Sequence, residues 1–156
     1  MRSMSVSTGA SELWLIFETG EDRWALDVQV VERVVRAVEV THCPGAPPYV
    51  VGLIRVEGSV VPVVSPNREA GVLEREVFCG DYMILSRTGE RRIALLAERL
   101  CGTVGYSKVL PTEDPAASLE NEGMLNLEDG IALVCKVGQL LTPEEEAQLT
   151  GAVSIS

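Results

Sequence analysis

Few residues in this chain have the type and spacing that chemistry requires. The single imidazole is His42, and Cys43 follows it directly. A thiolate–imidazole pair works through a hydrogen bond in space, and neighbours on an extended segment send their side chains apart. Cys43 is therefore read as an inert thiol, with a thiol-dependent hydrolase built around it kept as the enzyme alternative. The other cysteines, Cys79, Cys101 and Cys135, are widely spaced and form no C-x-x-C pair. In a reducing compartment all four read as free thiols, and neither a metal site nor a disulfide is expected. The acidic pairs Glu21-Asp22, Glu113-Asp114 and Glu128-Asp129 fall in turn signals, where acids are favoured for solvation and local hydrogen bonding. No G-x-G-x-x-G or P-loop pattern occurs, so no nucleotide cofactor is expected. Trp14 and Trp24 suit a cross-strand or core pair better than a platform for stacking bases.

Charge narrows the partners. The chain carries 13 Lys plus Arg against 23 Asp plus Glu, a net −10 over 156 residues, and only two of the cations are lysines. The part through Ser107 holds −3 of this and the part from Lys108 onward −7. Such a balance repels phosphate backbones, which argues against nucleic acid and anionic membranes and in favour of a protein partner. No apolar run approaches the roughly 20 residues that span a bilayer. The opening Met1–Ala10 lacks a secretory pattern, so a cytosolic protein without direct membrane insertion is expected.

The elements that would position any surface are short strands. Residues 1–11 read as a loose tail. Leu13–Phe17 and Arg23–Leu26 read as a first hairpin around Thr19-Gly20, followed by a helical turn near Val28–Glu32 and a strand over Val34–Val40. The prolines of Cys43–Pro48 break any regular element. Val50–Val56 and Ser59–Ser65 flank Glu57-Gly58 as a second hairpin, and Pro62 should sit at an edge or a bulge. Strands are expected over Val77–Ser86, Arg91–Ala97 and Thr103–Val109, with turn signals at Arg87–Glu90 and Cys101-Gly102. Leu110–Asn121, including the acidic stretch 112–122, reads as a loop, and Gly123–Leu127 with Ile131–Val137 as a last hairpin. Thr142-Pro143-Glu144-Glu145 is a capping box that starts a terminal helix running to about Thr150. Short strands at 8–12 residue spacing and 22 valines predict an all-β fold. The strand-rich halves divide near Arg75, and each is large enough to close a small barrel; no internal sequence repeat is evident.

Three segments in order carry a resemblance. They are Val31-Glu32-Arg33-Val34-Val35-Arg36, then Cys43-Pro44-Gly45-Ala46-Pro47-Pro48-Tyr49-Val50-Val51-Gly52-Leu53-Ile54, then Gly58-Ser59-Val60-Val61-Pro62-Val63-Val64. Together they resemble the CheW-like domain of bacterial chemotaxis coupling proteins, whose pattern is V-x-E-V, then a P-G/N-x-P-x-Y/F-V/I-x-G segment, then N-L-R-G followed by V/I-V/I-P-V/I-V/I-D-L. Weaker similarity continues through Ile93–Glu98 and Gly123–Leu141, so the likeness covers roughly residues 12–142 and leaves 143–156 as a short helix and tail. The resemblance implies two small five-stranded SH3-like or OB-like β-barrels sharing a core. It also implies a non-enzymatic adaptor that bridges the cytoplasmic tip of a methyl-accepting chemoreceptor and the regulatory domain of a chemotaxis histidine kinase. A regulatory or small-ligand-binding barrel module, holding its ligand between the barrels, is the alternative.

The chain departs from that pattern where charge matters. Arg33 stands where the family has Glu, and Glu57 where it has Arg; Arg55 replaces Asn, Ser65 replaces Asp, and Ala97-Glu98 stands for V-D. Two readings follow: an Arg33–Glu57 ion pair of inverted orientation, or two independent solvated charges. By resemblance the partner-facing surface comprises Val31, Arg33, Val34, Arg55, Glu57, Gly58 and Val60.

Overall fold

The computed structural model describes residues 13–47, 49–66, 80–105 and 124–155. The tail, the 112–122 loop, Cys79 and the expected strand ends at 77–79 and 106–109 lie outside them.

Ten strands form two five-stranded sheets. The strands are β1 (Leu13–Thr19), β2 (Asp22–Asp27), β3 (Val31–Arg36), β4 (Val50–Val56), β5 (Ser59–Val64), β6 (Tyr82–Thr88), β7 (Arg91–Ala97), β8 (Arg99–Gly105), β9 (Met124–Leu127) and β10 (Gly130–Val134). Sheet one has the order β8-β1-β2-β10-β9 and sheet two β3-β6-β7-β5-β4. Helices α1 (Val137–Leu140) and α2 (Pro143–Ile155) close the chain. The fold is the expected all-β pair of barrel-like units, but a single division near Arg75 does not separate them. β6 and β7, which follow that point, pair with β3 and β5. Sheet two is contiguous from Val31 to Ala97, and sheet one is made from what precedes and follows it. The chain crosses between sheets twice, through the 3-10 turn Val28–Val30 and through the single residue Glu98.

The sheets share one pairing scheme. In sheet one β8, β1 and β2 run antiparallel, and β2 lies parallel to β10 of the β9–β10 hairpin. In sheet two β3, β6 and β7 run antiparallel, and β7 lies parallel to β5 of the β4–β5 hairpin. The chain order β3 to β7 thus repeats β8, β9, β10, β1, β2, a circular permutation that leaves no repeat in the sequence.

Central strands here are buried on both faces, which is why they read as continuous apolar runs rather than alternating ones. On β6 and β7, Ile84, Ile93, Leu95 and Ala97 face one cluster while Met83, Leu85, Ala94 and Leu96 face another. The first is the largest, with 17 buried residues; it joins Phe17, Trp24 and Leu26 of sheet one to sheet two, to Leu140 and Leu149 of the helices and to Leu141 between them. The second belongs to sheet two alone and the third, including Trp14, Ile16 and Ala25, to sheet one. The two tryptophans therefore lie in different clusters, and Trp24 pairs with Phe17 while Trp14 pairs with Asp27. They are core residues but not a pair.

Other local expectations shift for identifiable reasons. β3 ends at Arg36 instead of Val40 because the chain changes partners: Ala37 N still donates to Asp81 O, but Thr41 N donates to Leu53 O and accepts in return from Leu53 N. That exchange covers the outer edge of β4 and closes sheet two. Gly52 permits it, since a Cβ there would lie 2.5 Å from the Thr41 carbonyl oxygen. Pro62 lies on an inner strand, yet β5 meets β7 only at Val63 and Val64, so the missing amide falls where the strand is locally an edge. Cys101-Gly102 is no turn. Ile16 pairs with Gly102 and Phe17 with Leu100, which leaves Cys101 as the extra residue of a bulge within β8. The capping box forms as expected, with Glu145 N donating to Thr142 Oγ1 (3.1 Å) and Thr142 N to Glu145 Oε1 (2.9 Å). The helix it starts continues to Ile155.

Candidate functional site

Of the seven residues expected at the surface, Arg33 meets Glu57 and Arg55 is paired with Val60, and the set faces two ways. Val31 and Val34 of β3 and Val60 of β5 are half-buried and form part of the rim of the inter-sheet core. Arg55 is exposed beside Val60, its register partner. Glu57 and Gly58 form the two-residue turn joining β4 to β5. Their φ angles of 52° and 85° are both positive, as a type I′ turn demands. A glutamate is an unusual occupant of a left-handed position, where Gly and Asn carry less steric cost.

Arg33 does reach Glu57, with Nη2 3.6 Å from Oε2, so the ion-pair reading describes the geometry and independent charges do not. Both side chains stay more than half exposed, at 53% and 59%. The pair is the open end of a longer chain of alternating charge. Arg87 Nη2 lies 2.9 Å from Glu32 Oε2, and Arg92 Nε lies 2.9 Å from Glu32 Oε1. The latter is an ion contact without hydrogen-bond alignment. Arg92 Nη2 then donates to Glu32 Oε2 at 3.3 Å and to Glu57 Oε1 at 3.0 Å. The sequence Arg87–Glu32–Arg92–Glu57–Arg33 links β6, β3, β7 and the β4–β5 turn. The hydrogen bond from Arg87 holds the Glu32 carboxyl below its ordinary range, and the bond to Glu57 raises the Arg92 guanidinium further. A surface cleft of about 440 Å³ beside this chain is lined by Val60, Arg87, Arg91, Arg92 and Glu146 among others.

Glu32, Arg87 and Arg92 were not among the expected site residues. From the sequence Arg87 is expected in a turn, whereas β6 and β7 set it directly opposite Arg92, a like-charge pair that calls for an acid between them.

The candidate chemical groups do not assemble. His42 is exposed and Cys43 buried, so thiol and imidazole occupy different environments. Burial pushes the Cys135 thiol up to about 12, and Cys101, though more open, is also raised, chiefly by partial burial. Among the described residues no group of three or more His, Cys, Asp or Glu side chains could hold a metal ion. The space between the sheets, where the alternative reading placed a small ligand, carries the 17-residue apolar cluster. Among the described residues, too, no helix is long and apolar enough to cross a membrane.

Among the described residues, two barrel-like five-stranded sheets carry a charge chain beside a valine rim, which places the chain in the class of double β-barrel folds. Residues 13–145 match the family model of the CheW-like domain, and the chain belongs to that family. It is 25% identical over 145 residues to the chemotaxis protein CheW of Rhizobium meliloti (strain 1021), covering 90% of this chain and 93% of the relative. It is 29% identical over 90 residues to the chemotaxis protein CheW of Thermotoga maritima, covering 58% and 59%. The crystal structure of the scaffolding protein TtCheW from Thermoanaerobacter tengcongensis superposes with a TM-score of 0.71 over 92% of this chain and 96% of that one, at 18% identity.

Proposed function

We propose that this chain is a non-enzymatic adaptor of a chemosensory array. It couples the cytoplasmic tip of a methyl-accepting chemoreceptor to the regulatory domain of a chemotaxis histidine kinase, on the cytoplasmic side of the membrane. The observation that supports this most is the family match across 13–145, joined to the position of Val31, Val34 and Val60 as a half-buried apolar rim beside exposed Arg33, Arg55 and Glu57. Apolar anchors supply affinity in such an interface and a charged rim supplies selectivity. Because Arg33 and Glu57 reverse the family's signs, the cognate partner carries the complementary reversal. A partner built for the usual order meets like charges instead.

The test is co-purification from the native cell, in which a histidine kinase and a methyl-accepting receptor accompany the chain. Val34→Asp abolishes that recovery. Since Val34 packs against the inter-sheet core, circular dichroism must show the variant folded. Full recovery with folded Val34→Asp refutes the surface assignment.

A further inference from the structure

The Arg33–Glu57 pair does not hold itself in place. Its contact is 3.6 Å long, and Arg33 is 53% exposed. An open pair of that kind constrains its members weakly. Glu57 also occupies a left-handed turn position, φ 52°, that its side chain does nothing to favour. What orders it is on the other side. Arg92 projects from β7 on the face that carries Ala94 and Leu96, is only 23% exposed, and meets Glu57 Oε1 at 3.0 Å. Arg92 is fixed in turn by Glu32, which Arg87 grips from the opposite strand. One carboxylate oxygen of Glu57 is thus committed inward to Arg92, and the other is the one nearer Arg33.

We infer that Arg92 is the positioning residue of this surface: standing behind the exposed pair, it sets the direction of Glu57 and so the charge pattern that a partner reads. The inference rests on the adaptor reading for its consequence but not for its geometry. Both hydrogen bonds leave from Nη2, and Nε lies against Glu32. Lys would keep the charge and lose this two-nitrogen edge facing Glu32, which aims Nη2 at Glu57, so it substitutes only in part.

The experiment has two arms. In the free protein, amide chemical shifts of Glu57 and Gly58 are compared in wild type, Arg92→Gln, Arg92→Lys and Arg33→Gln. Arg92→Gln displaces both signals, Arg92→Lys displaces them partway, and Arg33→Gln leaves them close to wild type. Unchanged turn signals in Arg92→Gln overturn the inference whatever the protein binds. In the second arm, affinity for a receptor-tip fragment and for a kinase regulatory domain is measured for Arg92→Gln, Glu57→Gln and the double variant. Each single variant binds about five- to tenfold more weakly, in the range of a lost charge-assisted hydrogen bond, and the double variant is no worse than Glu57→Gln. A double variant whose losses multiply shows Arg92 acting other than through Glu57 and overturns the inference. Wild type that binds neither probe, with the turn displaced in the first arm, removes the adaptor reading and with it the selectivity role of Arg92.

Discussion

Arg87 and Arg92 face each other across β6 and β7, and Glu32 between them turns a repulsive pair into a bridge. The hydrogen bond that lowers the Glu32 carboxyl makes its contribution depend on pH. The contribution is present in full above the ordinary carboxylate range and disappears as pH falls through the lowered value. The gap in melting temperature between wild type and Glu32→Gln should therefore hold constant from pH 7 down to the ordinary carboxylate range and narrow only below it, toward pH 3; a gap that stays constant to pH 3 would remove Glu32 from the account. The outer pair behaves differently. Arg33→Glu should change stability by no more than about 1 kcal/mol, since exposed pairs contribute little; Glu57→Arg, alone or in the double exchange, also sets a cation against Arg92 and should cost more. Partner affinity should fall in the single variants and return in part, or change partner, in the double one. Thiol reactivity sorts by burial: iodoacetamide should modify exposed Cys101 well before Cys43 or Cys135 in the folded protein, and the ordering should vanish in denaturant. Of this residue-scale picture, Arg33 and Glu57 were legible from their departure from a motif. Arg92 was not, because its partners come from strands whose register the sequence leaves open.

Elements announced by their turns were the readable ones. Glu57-Gly58 and Glu128-Asp129 with Gly130 each mark a hairpin, and Thr142-Pro143 marks the start of α2, because those conformations admit few residue types. Elements defined by a distant partner were not. β3 stops at Arg36 because Thr41 finds Leu53, and Cys101 bulges because β1 requires an extra residue opposite it. Gly52→Ala tests the first of these: both its backbone angle and the nearby Thr41 carbonyl resist a side chain, so a loss of about 2–4 kcal/mol is expected in urea unfolding. At the other end of the chain, Glu145 serves two purposes. It completes the cap of α2 and accepts the Tyr49 hydroxyl proton at 2.7 Å, which ties the proline-rich segment to the helix. Thr142→Ala should cost about 1 kcal/mol by loss of the cap alone.

At the scale of the molecule, the cluster between the sheets outweighs either sheet's own cluster, with 17 buried residues against seven and six. Neither unit keeps its hydrophobic covering without the other, so unfolding should be a single cooperative transition. Trp14 reports the interior of sheet one and Trp24 the joint, so their fluorescence transition should coincide with that of far-ultraviolet circular dichroism. The sheet-two unit, whole between Val31 and Ala97, also forms a long excursion inserted into the strands of its neighbour. Until that excursion is compact, β1 and β2 must find β8 to β10 across an open loop, whose closure carries an entropic cost that folding of the insert removes. The topology therefore favours early pairing within the insert, and pulse-labelling hydrogen exchange should find the amides of β6 and β7 protected no later than those of β10.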